Sequence, residues 1–318
     1  MTDIPIPGTG YVANVFERTG IYGKADALEA IADAGLVPLT MPDLTVFRIL
    51  VHSRNSPLFY QGYHTASVKI DGHTSDGRDV RLYAHIPTVL NNPPYLRRMI
   101  TEKQLMNGAA PVPQTEIDHL VALSPLPDHH VFIHDLPTAT AAPSGSYLLR
   151  VLRELDQTAS FLGDPRLVTP YYTTLASVYT CDRFSFWHTN DLHDNIAHGR
   201  ALFAGDDGGS LDGGDLGGSC RVLGVAPEAQ RYLRDQIPRL ASLIAELPIP
   251  VRTPAPETRV QPPSRTPSLE TRIQPPPVSS TPRTPTQKPL NTPEEQKALD
   301  SAKKKAEEFG RFGIIELD

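Results

Sequence analysis

The stretch FSFWHTNDLHDNIAHGRALFAGDDGGSLDGGD, residues 184–215, gathers three histidines and six aspartates beside glycine pairs. Imidazoles and carboxylates are the ligands that zinc, manganese and iron take, while carboxylates on a glycine-rich loop suit calcium. His188, Asp191 and His193 are therefore candidates for a divalent metal site. The spacing restricts how one could be built. His188, His193 and His198 stand five residues apart, about 140° per step around a helix, so no helical face presents them together. A loop would have to collect them. Asp206, Asp207, Asp212 and Asp215 lack the Asp-x-Asn/Asp-x-Asn/Asp-Gly order of an EF-hand, and turn chemistry between two strands is the plainer account of them.

A second candidate is PDHHVFIHDLP, residues 127–137. On a strand His130, Phe132 and His134 share one face, and the two histidines stand about 13 Å apart at the usual rise, too far to ligate one ion without help from another strand. Hydrogen-bonded structure is the plainer role for each.

Within the first stretch, HTNDLH resembles the first metal-binding motif of the 5′-nucleotidase branch of the metallophosphoesterases, where an Asp-x-His pair after a strand contributes to a two-metal centre. The resemblance implies that role for Asp191 and His193, behind the apolar run Phe184–Trp187. It ends with the motif. The Gly-Asp pair that the family needs next comes too early, as Gly205-Asp206, and no Gly-Asn-His follows, so no role is carried over. The chain also lacks a Gly-x-Ser-x-Gly elbow, a phosphate loop and a dinucleotide fingerprint. Catalytic residues are not assignable from the sequence, and no cofactor is expected beyond that candidate divalent metal.

The elements that would position these groups read as α+β: a mixed or antiparallel sheet with amphipathic helices in one globular body. Helices are predicted at 24–34, where Leu28, Ile31 and Ala32 make a stripe ended by Gly35, and at 93–106 behind the cap Asn92 and Pro93. Two more are predicted from Ser146 to Leu162 and from Pro227 to about Leu247, the last kinked at Pro238. YHTASVKID and RDVRLYAHI alternate apolar and polar residues on either side of DGHTSDG, which predicts an antiparallel hairpin. Further strands are predicted at His130–Asp135, Arg183–Trp187, Arg200–Ala204 and Arg221–Val225.

Composition breaks after Pro248. The chain holds 32 prolines, about twice ordinary usage, and they crowd residues 248–291, which are poor in apolar side chains. Such a segment cannot bury enough surface to offset the entropy of ordering it, so a disordered, basic, proline-rich tether is expected after a body spanning 1–247. Residues 251–292 hold six Lys/Arg against two Glu and residues 293–318 five against seven acids, which leaves residues 1–250 at −8 within the chain's formal −6. Beyond the tether, 292–318 opens with the capping box Thr292-Pro-Glu-Glu295. Leu299, Ala302, Ala306 and Phe309 then form one narrow stripe of a short helix, and Phe312, Ile314, Ile315 and Leu317 make an apolar tail. These eight residues are the candidate contacts to a protein partner or to a second copy of the chain.

Two cysteines without a CxxC spacing argue against a disulfide scaffold. No window reaches the roughly 18 apolar residues of a membrane span and no signal-peptide pattern opens the chain, so a cytoplasmic location is expected. Nucleic acid is not an expected partner, because the arm has isolated arginines without aromatics and the body is acidic. The sequence reading is thus an interaction or assembly protein presenting a helix-tail motif on a flexible arm. Its alternative is a metal-dependent hydrolase built on the His/Asp cluster at 188–215.

Overall fold

The structure is a computed structural model that describes residues 3–53, 55–126, 130–136, 145–148, 156–179, 183–186, 191–192, 196–205 and 211–244. The chain divides into Met1–Val251 and Arg252–Asp318. The second unit lies outside the described residues, and with it all eight partner-contact candidates from Leu299 to Leu317.

The sheet grows from one long strand, β4 (Tyr63–His73), whose alternating Ala66, Val68 and Ile70 face one side and Thr65, Ser67, Lys69 and Asp71 the other. The chain turns through Thr74–Arg78, with Gly77 at φ 83, and β5 (Asp79–Ala84) returns antiparallel in the register Val68↔Ala84 and Asp71↔Arg81. That is the predicted hairpin. The remaining strands are β1 (Asp3–Pro5), β2 (Val12–Arg18), β3 (Val37–Pro38), β6 (Ala110–Pro111), β7 (Val131–Asp135), β8 (Gly145–Leu148), β9 (Arg183–Phe186), β10 (His198–Ala204), β11 (Leu211–Gly214) and β12 (Cys220–Val225). They line up in the order β1-β2-β12-β4-β10-β11-β9-β8, with β5 on β4 and β7 on β5. Among the described strands, only β12–β4 and β11–β9 run parallel, so the sheet is mixed.

Helices cover both faces. On the side of Val68 and Ile70 lie α1 (Gly23–Asp33), α4 (Pro93–Thr101) and α5 (Gln114–Leu123), whose Leu28, Leu96, Met99, Ile117 and Leu120 join the strand residues in one buried cluster. The opposite side carries α2 (Met41–Val51), a single-turn α3 (Pro57–Tyr60), α6 (Asp156–Leu162) and α7 (Pro165–Tyr179), followed by α8 (Pro227–Asp235) and α9 (Ile237–Ile244). Their Phe47, Phe161, Tyr171, Leu175 and Leu233 build the larger core. Among the described residues no helix is long and apolar enough to cross a membrane.

Three helix expectations are corrected. Residues 146–162 are not one helix: Gly145–Leu148 is a strand paired antiparallel with β9, and among the described residues the helical part is Asp156–Leu162. Spacing of leucines at three and four residues fits a helix, but pairing with Arg183–Phe186 claims the first turn for the sheet. The helix from Pro93 stops at Thr101, where Lys103 takes φ 55 and ends the run. The segment from Pro227 is two helices rather than one kinked rod, because Pro238 lacks the N–H that would continue the first and is tolerated early in the second. Helix α2 gave no amphipathic signal because nearly every residue from Met41 to Ile49 is buried, although Thr40 and Asp43 form a capping box at its start.

Candidate functional site

The polar face of β4 is inside the protein. Lys69, Asp71 and Arg81 are buried beside Asp191 and Arg200, and together they make a continuous ion-pair lattice. Register builds it: Asp71 lies opposite Arg81 on β5, and Lys69 lies opposite Arg200 on β10. Arg81 Nε and Nη2 donate to the two Asp71 oxygens at 2.7 and 2.9 Å. Lys69 Nζ bridges Asp71 at 3.2 Å and Asp191 at 2.7 Å. Arg200 Nε donates to both Asp191 oxygens at 2.9 Å, and its Nη1 reaches Asp215 at 2.6 Å. Three cations thus meet three carboxylates.

Burial would push the Asp71 carboxyl up, but the Lys69 charge, the Arg81 hydrogen bonds and the Asp191 amide outweigh it and hold Asp71 below the usual carboxylate range. Asp191 is treated in the same way, burial being overcome by Lys69 and Arg200. Asp212, just beyond the lattice, goes the other way: burial raises it, against the Gly213 amide and the Arg200 and Lys69 charges.

The lattice fastens three connecting segments to the sheet. The Asp191 backbone N–H donates to Asp71 at 2.9 Å, fixing the strand-to-strand connection that leads to β10. Arg200 Nη2 donates to the Asn107 carbonyl, in a tight turn where Asn107 and Gly108 have φ 50 and 82. The Leu216 amide donates to the Gly108 carbonyl at 2.9 Å, and Asp215 is held by Arg200, so the segment after β11 is pinned too. A fourth buried cation works from the helical side. Arg48 on α2 donates to the Ala204 and Gly205 carbonyls at 3.3 and 3.2 Å and to the Tyr171 hydroxyl at 2.8 Å, gripping the chain just before 206–210.

Gly108 tests this fastening. Any Cβ there would come within 2.2 Å of an Asp215 carboxylate oxygen, in a backbone conformation that favours glycine. Gly108→Ala is expected to lower stability by about 1–3 kcal/mol and to separate Asp215 from Arg200. Chemical denaturation checks the first, and added mobility of the 211–216 amides in NMR relaxation the second.

The metal candidates fall in different places. Asp191 is buried in the lattice with its oxygens engaged by Lys69 and Arg200. His188 and His193 lie outside the described residues. His130 immediately precedes β7 with φ 50, and its carbonyl accepts from the His85 amide at 3.1 Å. His134, four residues on, shares a 2.8 Å hydrogen bond between Nε2 and the Ser160 hydroxyl, and burial lowers its pKa. Among the described residues no three His, Cys, Asp or Glu side chains come together as a metal site.

A cavity of about 390 Å³ opens beside His130, between His85, Phe132, Arg166 and Arg234. Its arginines are committed, Arg166 to Asp164 at 2.6 Å and Arg234 to the buried Asp43 at 3.1 Å. Lys69, Arg81, Arg200 and Arg48 are the residues that sequence reasoning missed. The legible signal was a lysine and an arginine alternating with Val68, Ile70, Val80 and Leu82, a pattern that marks a polar face without saying whether it meets water or the interior.

Helices on both faces of a mixed sheet, with connecting segments fastened to it, make an α+β body similar to the C-type lectin fold. The particular likeness is to a solved structure described as "Accommodation of massive sequence variation in Nanoarchaeota by the C-type lectin fold", 28% identical, with a TM-score of 0.62, covering 70% of this chain and 100% of that one. Family models and curated proteins give no match.

Proposed function

We propose that this chain is an interaction protein: a C-type lectin-like body whose fastened connecting segments form a recognition surface, followed by an arm that carries the 292–318 helix and tail to a protein partner or a second copy. The observation behind it is the lattice. Buried Asp191 and Arg200, with the exposed Asp215 that Arg200 holds, tie the segments on either side of β10 and β11 to the sheet, so their outer residues need contribute little to folding. The solved structure it resembles is described as accommodating massive sequence variation, and a charge-fastened frame is one physical means to that end. A divalent metal at Asp191 would have to displace both Lys69 and Arg200.

A displayed library tests the body. Positions 188–190, 193–195 and 206–210 are randomised in one pool and Asp71, Arg81, Asp191 and Arg200 in another, with protease resistance as the readout. Most members of the first pool are expected to survive and most of the second to be cleaved. Equal depletion would end the frame reading. For the arm, sedimentation and crosslinking compare the full chain with one ended at Pro248. Self-association or a crosslinked partner that disappears on truncation supports the proposal, and no difference removes the arm from it. Metal analysis separates the hydrolase alternative: stoichiometric zinc, manganese or iron that is lost in His193→Ala would favour that reading instead.

A further inference from the structure

The cavity of about 390 Å³ beside His130 is built from one face of the sheet. Phe132 on β7 is the register partner of Tyr83 on β5, and both pack into the core that α2, α6 and α7 share. His85 follows Tyr83 by two residues and meets the Phe132 ring edge-on, at 5.8 Å between centroids. Helices of that same face supply the other walls: Pro42 at the start of α2, Arg166 in the first turn of α7, Arg234 at the end of α8 and Ile237 at the start of α9. An apolar lining and two guanidinium groups therefore meet in one space of a size that holds a small molecule.

Each guanidinium is held along one edge. Arg234 Nε donates to Asp43 at 3.1 Å, and the other oxygen of this buried carboxylate accepts the Thr40 amide and hydroxyl and the Gln230 side-chain amide. Arg166 Nε and Nη2 donate to Asp164 at 2.9 and 2.6 Å, and Asp164 Oδ1 also accepts the Arg166 amide at 2.8 Å. Both Nη groups of Arg234 and Nη1 of Arg166 meet no protein acceptor among the described residues. His85 adds nothing to this donor set, because Ser67 and the Ser160 carbonyl engage both its ring nitrogens. Arginines fixed before binding spare a ligand the entropy of ordering them, which lets it compete with the water that otherwise hydrates those nitrogens. Each arginine already faces one carboxylate, so the donors left over suit one further negative charge, and a dianion would be repelled by Asp43 and Asp164.

We propose that this cavity binds a small monocarboxylate with a compact apolar body. Arg234 and Arg166 donate to its carboxylate, and Pro42, Phe132 and Ile237 cover its hydrocarbon. Guanidinium forks match carboxylate geometry, and burying the hydrocarbon adds affinity that a bare anion lacks. The site is independent of the arm and of the charge lattice, and it gives the body a small-molecule ligand beyond its proposed role in protein interaction.

Sodium cyclohexanecarboxylate is the probe, added to the full chain at pH 7 and followed by amide shifts. Neutral cyclohexanecarboxamide and sodium acetate serve as comparisons at matched ionic strength. Saturable shifts at the Phe132, Gly163, Arg234 and Ile237 amides are expected, with the carboxamide and acetate each binding at least tenfold more weakly. Arg234→Met and Arg166→Met are each expected to weaken binding at least tenfold, whereas Arg97→Met, on α4 at the other face, leaves it unchanged. Should Arg234→Met fail to fold, Arg166→Met carries the comparison alone, since that side chain is half exposed. Shifts that never saturate, a carboxamide or acetate that binds equally well, indifference to the cavity arginines, or an equal loss in Arg97→Met would each overturn the assignment.

Discussion

Asp71→Ala is expected to cost about 3–5 kcal/mol of folding stability, because it takes from buried Arg81 its paired carboxylate and from Lys69 one of the two it bridges. Arg81 and Asp71 are both fully buried, and Lys69 is 3% exposed, so neither cation can turn to water when the carboxylate goes. Asp71 also accepts the Asp191 amide, which means the same substitution loosens the segment leading to β10. At about 2–4 °C per kcal/mol for a body of this size, Tm should fall by roughly 10 °C. The paired replacement Asp71→Asn with Arg81→Met should cost less than the sum of its parts, since removing both charges leaves no uncompensated ion between them. Additive losses in a denaturant double-mutant cycle would show that the two side chains act separately and that the lattice is not a unit.

Acid is expected to destabilise the body well above the carboxylate range, through His85. Its Nε2 faces the Ser160 carbonyl at 2.8 Å and must carry the proton, while Nδ1 lies 2.8 Å from the Ser67 hydroxyl, which itself accepts the Met41 amide at 2.7 Å. That leaves Ser67 to donate to Nδ1, and a second proton on the ring has no place. Burial pulls His85 from 6.5 down to about 3, partly opposed by the Ser160 carbonyl. The unfolded chain therefore takes up this proton near pH 6.5 and the folded chain only near 3. His85 contributes its full stability above pH 6.5 and loses it as the pH falls toward 3, by about a factor of ten in the folding equilibrium per pH unit. Asp71 and Asp191, held low by their partners, add their own loss only below about pH 4. Urea unfolding at pH 7.5, 6.5, 5.5 and 4.5 reads the summed slope, to which buried His64, also pulled down to about 3, adds its own share, and the difference from His85→Gln isolates the His85 part. His85→Gln should be less stable at pH 7.5 but lose stability more slowly on acidification, whereas parallel curves for the two proteins would exclude His85 as the group responsible.

Several elements were legible because local chemistry wrote them. Asn92-Pro93 starts α4 and the Asn92 side chain accepts the Tyr95 amide at 3.0 Å, as a cap should. The β4–β5 hairpin carries its turn residues and its alternation. Residues 145–148 and α2 were misread or missed for one reason: pairing with a distant strand, or burial on every side, erases the periodicity that a window of sequence displays.

By itself, the sequence determined the α+β class, the hairpin, and the alternation of Lys69, Asp71 and Arg81 with apolar neighbours. Only the tertiary structure decided that this polar face is interior, because whether a strand's second face meets water depends on which helices come to cover it. It likewise decided that Asp191, 120 residues from Asp71 in the chain, closes a charge lattice with Lys69 and Arg200. Attraction between buried charges depends on distance in space, and separation along the chain carries no record of it.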